Sequence, residues 1–368
     1  MQRVASLVWH SAPSFLTAGR EATVARWLEP STPEEIAAHA PLAIAKAWWC
    51  LTAGDTAAVE QWAAAASNGE ADDPLPDGTS LRSAVVLVRA LIGKDGLTQV
   101  RDDAAVAFEL HHPGSAYRPI ARFLEGSARR LLGDRELARV RLEEAARLAG
   151  VFSPSTYAQC LHELALLAIE EDDWSDAGNL LDRAMQVVDE YFLGERPAMA
   201  GLYGTAALVH ARAGARVEAR AESKHGVSLL EGLTDVGPWF IVETGLVLAR
   251  TNLLLGDVAT ARTLVGQSER ILQRYPDSGA LAGRLRELER TIDAEAIPIG
   301  LEATPLTPAE MRVLRYLPTH LSFEEIAGEL FVSRNTVKTQ AIAVYRKLGV
   351  TSRGRAVEQA RELGLIEQ

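Results

Sequence analysis

The sequence predicts an all-α protein with two parts, a long array of stacked helical hairpins followed by a small four-helix domain. Its 48% apolar and 24% charged residues are proportions typical of a folded chain with a large core. The aromatic content is only 6% and alanine is abundant, which favours helices over strands. A helix, a Gly or Asp turn and a second helix recur along most of the chain.

The length of 368 residues exceeds the usual size of one domain, about 100 to 200 residues, so it indicates at least two domains or an extended array. We predict a repeat domain over residues 1–293, a linker over residues 294–304 and a second domain over residues 305–368.

The repeat is defined by turns that lie 39 to 42 residues apart, the length of one two-helix hairpin. The turns fall at Gly54, Gly93, Gly133, Asp172, Gly214 and Gly256. Small residues follow at fixed offsets, namely Ala138, Ala145, Ala177, Ala184 and Ala261. Glycine accepts the left-handed conformation that ends a helix, and alanine lets two helices approach closely. About seven such hairpins would form a TPR-like curved solenoid, which binds a protein, the chain's own domains or a small effector.

The repeat region lacks a convergent set of catalytic or metal-binding residues. His162 and Glu163 begin a zinc-binding pattern, but Leu166 stands where the second histidine is required. His111 and His112 precede Pro113 in a stretch that resembles a loop, and adjacent histidines point in different directions, so they do not converge on an ion. Phosphate-binding loops, dinucleotide-binding glycines and nucleophile elbows are also missing from the sequence. We therefore expect no enzyme activity, no catalytic residue, no cofactor and no metal.

The chain is expected to be cytoplasmic and to have no membrane partner. Its longest stretch without a formal charge, Pro197 to Ala211, has 15 residues, fewer than the roughly 20 needed to cross a bilayer. The apolar run Val4 to Trp9 lacks a convincing signal-peptide cleavage site. Cys50 and Cys160 form neither a disulfide framework nor a metal cluster, which fits a reducing compartment.

Charge separates the two parts of the chain. Residues 1–303 carry 29 basic and 42 acidic residues, a net charge of −13, whereas residues 304–368 carry a net charge of +2. Between Glu329 and Glu358 the sequence has six basic residues and no acidic one. These are Arg334, Lys338, Arg346, Lys347, Arg353 and Arg355. A local basic face on an acidic protein indicates a polyanionic partner for this part.

Start and stop signals delimit four helices in the second part. Capping boxes at Thr307–Glu310 and Ser322–Glu325 open the first two helices. Ser333 caps the third helix, Gly349 ends it, and the fourth runs from about Arg353 to Leu363.

The third helix has one apolar face and one polar, cationic face. Its core face is predicted to contain Val337, Ala341, Val344 and Leu348. The opposite face presents Asn335, Thr339, Ile342 and Arg346, with Lys338 and Tyr345 on its flanks. In a DNA major groove, asparagine reads adenine, lysine reads guanine and an apolar side chain contacts the thymine methyl. Ser333, Thr336, Arg346 and Arg353 are candidates for phosphate contacts.

The segments LTPAEMRVLRYL, LSFEEIAGELFVSRNTVKTQ and YRKLGVTSRGRAV closely resemble the LuxR-type helix-turn-helix domain of bacterial transcription regulators. This resemblance implies a four-helix fold, double-stranded DNA as the partner and a homodimer formed through the fourth helix. The DNA-binding residues it implies, together with the face described above, are Ser333, Arg334, Asn335, Thr336, Lys338, Thr339, Gln340, Ile342, Tyr345, Arg346 and Arg353. Gln340 stands where histidine is usual in the family, and His320 stands where glycine commonly joins the first two helices.

The segment RWLEPSTPEEIAAHAPLAIAKAWWCLTAGD and the 40-residue repeats resemble the helical-repeat region of MalT-like regulators. The sequence has no nucleotide-binding module, so the ATP-driven switching of those regulators is not implied. We expect a transcriptional regulator, an activator by family analogy, whose repeats sense a small-molecule effector or a regulatory protein and which contacts RNA polymerase. The alternative is an interaction scaffold whose second domain binds protein rather than DNA.

Overall fold

The computed structural model describes residues 2–17, 20–53, 55–67, 75, 78–150, 153–233, 237–296, 306–348, 350, 352–362 and 364–366. These residues form helices joined by turns and contain no β-strand, so the predicted all-α class is confirmed. The chain divides into two compact units, Met1–Glu289 and Arg290–Gln368. Among the described residues, no helix is both long and apolar enough to cross a bilayer.

The first unit is built from helical hairpins in sequence order. Its helices are α1 (Gln2–Thr17), α2 (Glu21–Leu28), α3 (Pro33–Ala37), α4 (Ala40–Ala53), α5 (Thr56–Ala66), α6 (Leu81–Ile92), α7 (Leu97–Leu110), α8 (Arg118–Leu131), α9 (Arg135–Ala149), α10 (Pro154–Glu170), α11 (Trp174–Glu190), α12 (Ala200–Arg212), α13 (Arg216–Leu230), α14 (Pro238–Leu255), α15 (Val258–Leu272) and most of α16 (Leu281–Ala296). The pairs α4/α5, α6/α7, α8/α9, α10/α11, α12/α13 and α14/α15 each pack as a hairpin. The described residues thus contain six hairpins rather than about seven, because α1, α2 and α3 pack on α4 instead of repeating the motif.

The predicted turn chemistry is confirmed at five of the six turns. Gly93, Gly133, Gly214 and Gly256 have φ values of 62°, 92°, 82° and 85°, and Asp172 has a φ of 62°. The sixth turn, at Gly54, lies outside the described residues. The alanines at the predicted close approaches are fully buried, namely Ala138, Ala145, Ala177, Ala184 and Ala261. The repeat therefore follows from left-handed turns and small helix-facing residues.

A buried ionic cluster joins hairpins that are far apart in the sequence. Arg130 on α8 is 1% exposed and donates to Glu163 Oε2 at 2.9 Å, Glu170 Oε1 at 2.7 Å and Glu243 Oε2 at 2.6 Å. These acceptors lie on α10 and α14. A buried guanidinium needs this degree of pairing, because an unpaired charge in the core costs several kcal/mol.

His162 lies in the same core, on α10. It is 3% exposed, and its Nε2 atom lies 2.9 Å from Oγ1 of Thr205 on α12. His162, expected to lie on a helix face, is therefore buried and forms a hydrogen bond with the next hairpin. His111 directly follows α7, where its side chain is buried beside Ser83.

The second unit contains the end of α16 and the helices α17 (Pro308–Tyr316), α18 (Phe323–Leu330), α19 (Arg334–Lys347) and α20 (Arg353–Glu362). Both predicted capping boxes form, with Thr307 and Glu310 closing one and Ser322 and Glu325 the other. The four helices share one core, which contains Val337, Ala341 and Val344 of α19 and Leu348 directly after it, as predicted.

The boundary between the units lies between Glu289 and Arg290, inside α16. Helix α16 continues through Ala296 and so includes three residues predicted to belong to the linker. Alanine and glutamate at these positions favour helix, which accounts for the continuation. The rest of the predicted linker lies outside the described residues.

Candidate DNA-binding surface

The entry to α19 is fixed by a left-handed residue and a serine cap. Helix α18 ends at Phe331, which has a φ of 54° and ψ of 43°. Two residues later, Ser333 Oγ accepts the backbone N–H of Thr336 at 3.1 Å. The Ser333 and Thr336 hydroxyls lie 2.8 Å apart. This cap satisfies a backbone donor that no residue within the helix accepts, so it sets where α19 begins.

The predicted contact face of α19 is exposed, and the predicted core face is buried. Val337, Ala341 and Val344 are fully buried, whereas Ile342 is 55% exposed. Five further predicted contact residues are exposed, namely Ser333, Arg334, Asn335, Lys338 and Thr339. The helix therefore presents a polar, cationic surface around a single apolar side chain.

Three predicted contact residues have more constrained positions. Thr336 and Gln340 are half-buried, and Tyr345 packs against the core of the unit. Burial raises the pKa of Tyr345, whereas the nearby Arg353 charge lowers it. The side chain of Arg346 is not among those that the structure describes.

Arg353 has a role that sequence reasoning missed. Its guanidinium donates to the carbonyl oxygens of Leu321 at 2.7 Å, Leu317 at 2.8 Å, Thr319 at 2.8 Å and Tyr316 at 3.4 Å. These carbonyls lie at the end of α17 and in the turn before α18. We correct the prediction that Arg353 holds a phosphate, because most of its N–H groups bond backbone within the unit.

Lys347 is the second basic residue that serves the fold. Its Nζ atom donates to Glu310 Oε2 at 2.6 Å, and Glu310 also closes the capping box of α17. The hydrogen bond from Lys347, together with that from Thr307, lowers the pKa of Glu310. The basic stretch therefore includes structural cations, and no pattern in one sequence distinguishes them from contact residues.

The fold accommodates the two residues that depart from the family pattern, His320 and Gln340. Asp172, Phe192 and Phe331 are the residues other than glycine with positive φ in the described chain. His320 is not among them, so replacing the usual glycine there requires no strained backbone. Gln340 is partly accessible at the edge of the contact face.

Comparisons with known proteins agree with this geometry. Residues 304–360 match the family model of bacterial regulatory proteins of the luxR family. A segment of 76 residues is 40% identical to the HTH-type transcriptional regulator MalT of Klebsiella pneumoniae subsp. pneumoniae. This match covers 21% of the chain and 8% of MalT.

Among solved structures, the chain is similar to a Rap protein complexed with competence and sporulation factor. The match has a TM-score of 0.42 and 10% identity, and it covers 80% of this chain and 99% of that one. The apo form of RapI matches with a TM-score of 0.39 and 10% identity over 99% of both chains.

The capped third helix, its exposed cationic face and the match to the family model all concern the same short stretch of chain. Residues 304–360 are a LuxR-type helix-turn-helix domain of the bacterial regulatory protein family.

Proposed function

We propose that this protein is a bacterial transcriptional regulator that binds double-stranded DNA by inserting α19 into the major groove. The observation that carries the proposal is the two-faced structure of α19. Val337 and Ala341 anchor the helix, while Lys338 and Ile342 are exposed on its other side. A recognition helix requires a fixed scaffold beneath it and polar side chains directed at base edges.

The contact residues divide by chemistry. Asn335 and Lys338 supply groups that hydrogen-bond to adenine and guanine, and Ile342 suits a thymine methyl. The exposed residues Ser333 and Arg334 suit phosphate contacts at the start of the helix. The half-buried Gln340 replaces the family's usual histidine, so we expect an operator different from those of relatives.

We further propose that the protein binds DNA as a homodimer on paired half-sites and acts as an activator in the cytoplasm. The helical hairpins would serve as the sensing or recruiting unit for an effector, a regulatory protein or RNA polymerase. Hairpin arrays support this role because successive helices expose an extended surface.

Selection of bound sequences from a random DNA duplex pool tests the proposal directly. We expect full-length protein to enrich one motif, with affinity that falls as salt concentration rises. A palindromic motif would support the homodimer. If neither the full-length chain nor residues 304–368 alone enrich a motif at low salt, the second unit is not a sequence-specific DNA-binding domain, and the scaffold alternative is favoured.

A further inference from the structure

Residues 275–284, which we call the docking segment, pack against α7 and α8 within the first unit. This segment links α15 to α16 and contacts helices much earlier in the sequence. The carbonyl oxygen of Asp277 accepts the backbone N–H of Leu97 at 2.9 Å. Its Oδ2 atom accepts the N–H of Thr98 at 2.9 Å and the Thr98 hydroxyl at 2.6 Å. A carboxylate is favourable here because the first turn of α7 carries partial positive charge.

The middle of the docking segment fits closely against the end of α8. The N–H of Ala280 donates to the carbonyl oxygen of Leu131 at 2.8 Å. Gly279 has a φ of 50°, and a Cβ atom placed there would lie 2.4 Å from the same oxygen. Only glycine allows this approach, so the contact depends on the absence of a side chain. Leu281, the first residue of α16, is fully buried.

The segment ends at Arg284, which joins the buried ionic cluster. Its Nη1 atom donates to Glu243 Oε1 at 2.7 Å, and its Nη2 atom donates to Glu170 Oε1. Both carboxylates also pair with Arg130, whose side chain is fully buried, whereas that of Arg284 is 30% exposed. Arg284 is therefore the partly accessible member of the cluster and bridges two carboxylates with its planar fork.

These contacts fix the start of the helix that leads along the chain to the DNA-binding domain. The chain before that domain carries a net charge of −13, counted over residues 1–303. DNA is also a polyanion, so it is repelled by the acidic repeats. Release of α16 would add the residues of this helix, Leu281–Ala296, to the length of chain between the hairpins and the DNA-binding domain, whereas a docked α16 keeps them on the hairpins.

We propose, building on the DNA-binding function above, that the ion pairs of Arg284 with Glu170 and Glu243 are a latch that holds the protein in a low-affinity state. Opening the latch frees α16 and raises DNA affinity. The cluster gives two discrete arrangements, with Arg284 bound or released, and an event in the hairpins that separates Glu170 from Glu243 biases this equilibrium.

The test uses the full-length protein with a duplex obtained by selection. We expect Arg284→Ala to raise DNA affinity about fivefold or more, a typical size for coupling between sites. It should also speed amide hydrogen exchange in α16 and leave α17 to α19 unchanged. Removal of a positive charge would by itself weaken DNA binding, so a rise in affinity is not a simple charge effect.

Two matched variants and a chemical rescue isolate the latch. Gly279→Ala leaves the charge unchanged and disturbs the same docking sterically, so it should also raise affinity. Arg139→Ala removes an arginine whose ion pair with Glu171 lies at the surface, so it should leave affinity nearly unchanged. Added ethylguanidinium should return Arg284→Ala toward wild-type affinity and restore α16 protection, whereas ethylammonium at equal concentration should not.

The outcomes separate the two proposals. If neither wild type nor any variant binds DNA, the proposed function fails, and the latch fails with it. If wild type binds DNA and Arg284→Ala frees α16 without a change in DNA affinity, only the latch is overturned. The latch is also overturned if amide hydrogen exchange in α16 of Arg284→Ala stays as slow as in wild type. If Arg284→Ala folds poorly, Arg284→Lys replaces it in the test. This variant keeps the positive charge but loses the planar guanidinium. The latch then requires that Arg284→Lys raise DNA affinity above that of wild type, by less than the about fivefold rise expected for Arg284→Ala.

Discussion

His162 donates a hydrogen bond from its Nε2 atom to Oγ1 of Thr205 across 2.9 Å. That hydroxyl donates in turn to the carbonyl oxygen of Gly201, also at 2.9 Å. Because the hydroxyl has one proton and uses it on the carbonyl, it accepts from the imidazole, which places a proton on Nε2. Burial lowers the pKa of His162 to about 4, with the Glu243 charge opposing and the Arg130 charge adding to this effect. His162 is thus a neutral core residue at physiological pH.

We predict that His162 makes the first unit less stable in acid. Its pKa is about 4 in the folded chain against an ordinary 6.5, so the unfolded chain binds more protons between these values. The stability that neutral His162 contributes is fully present above pH 6.5 and is lost as the pH falls toward 4. The free energy of unfolding should decrease by about 3 kcal/mol in total. Tryptophan fluorescence during urea unfolding measures this unit alone, since all seven tryptophans precede Phe240.

The matched variant is His162→Gln, which keeps a hydrogen-bond donor and does not titrate. Glu163 opposes the effect, because burial raises its pKa to about 7 and the stability it contributes is lost as the pH rises through that value. The stability difference between wild type and variant isolates the histidine. A difference that stays constant from pH 7 to pH 4 would contradict the prediction.

Arg353→Ala should unfold the second unit more readily, by about 2 to 3 kcal/mol, because it removes charge-assisted hydrogen bonds to the turn between α17 and α18. Arg353→Lys should not restore stability, since one ammonium group does not reach carbonyls on several sides. Hydrogen exchange of α17 amides gives the measurement. Arg355→Ala is the control, because the Arg355 side chain is 76% exposed and its 3.7 Å ion pair with Glu358 lies at the surface. If Arg353→Ala is as stable as wild type but no longer binds DNA, Arg353 contacts a phosphate as first predicted.

Phe331→Gly should stabilise the second unit by about 1 kcal/mol. The residue has a φ of 54° and is 95% exposed, so its side chain adds strain without burial. Phe331→Ala keeps the Cβ atom and should give no gain. Thermal unfolding followed by hydrogen exchange in α18 and α19 compares the variants. If Phe331→Gly is less stable than wild type, the aromatic ring makes a stabilising contact.

Lys338→Ala should weaken specific DNA binding by about 1 to 3 kcal/mol if the lysine reads a base. The matched control is Arg312→Ala, which removes one exposed positive charge from α17 and should have a smaller effect on specificity. Binding titrations on the selected duplex and on a scrambled duplex at two salt concentrations separate base reading from phosphate contact. An equal loss on both duplexes would make Lys338 a phosphate contact.

The sequence predicts features that depend on neighbouring residues. Left-handed turns such as Gly133 and caps such as Ser333 follow from local backbone chemistry, and the structure contains them. The two faces of α19 follow from helical periodicity in the same way. This is why the hairpins and the candidate DNA-binding face could be predicted without coordinates.

Features that depend on distant residues could not be predicted in this way. Arg130 and Glu243 are separated by 113 residues, and Thr98 and Asp277 by 179. The roles of Lys347 and Arg353 likewise depend on which carbonyl or carboxylate the fold brings near them. A basic residue in a single sequence looks the same whether it binds DNA or the end of a helix.

The caps of the second unit also bear on how such regulators evolve. Thr307 and Ser322 open their helices with partners three residues away, and Lys347 ties the end of α19 to the first of these caps. The contacts that stabilise these helix starts therefore lie within the second unit itself. A domain whose helix starts are stabilised from within can be joined to a different first unit without a change to its own core.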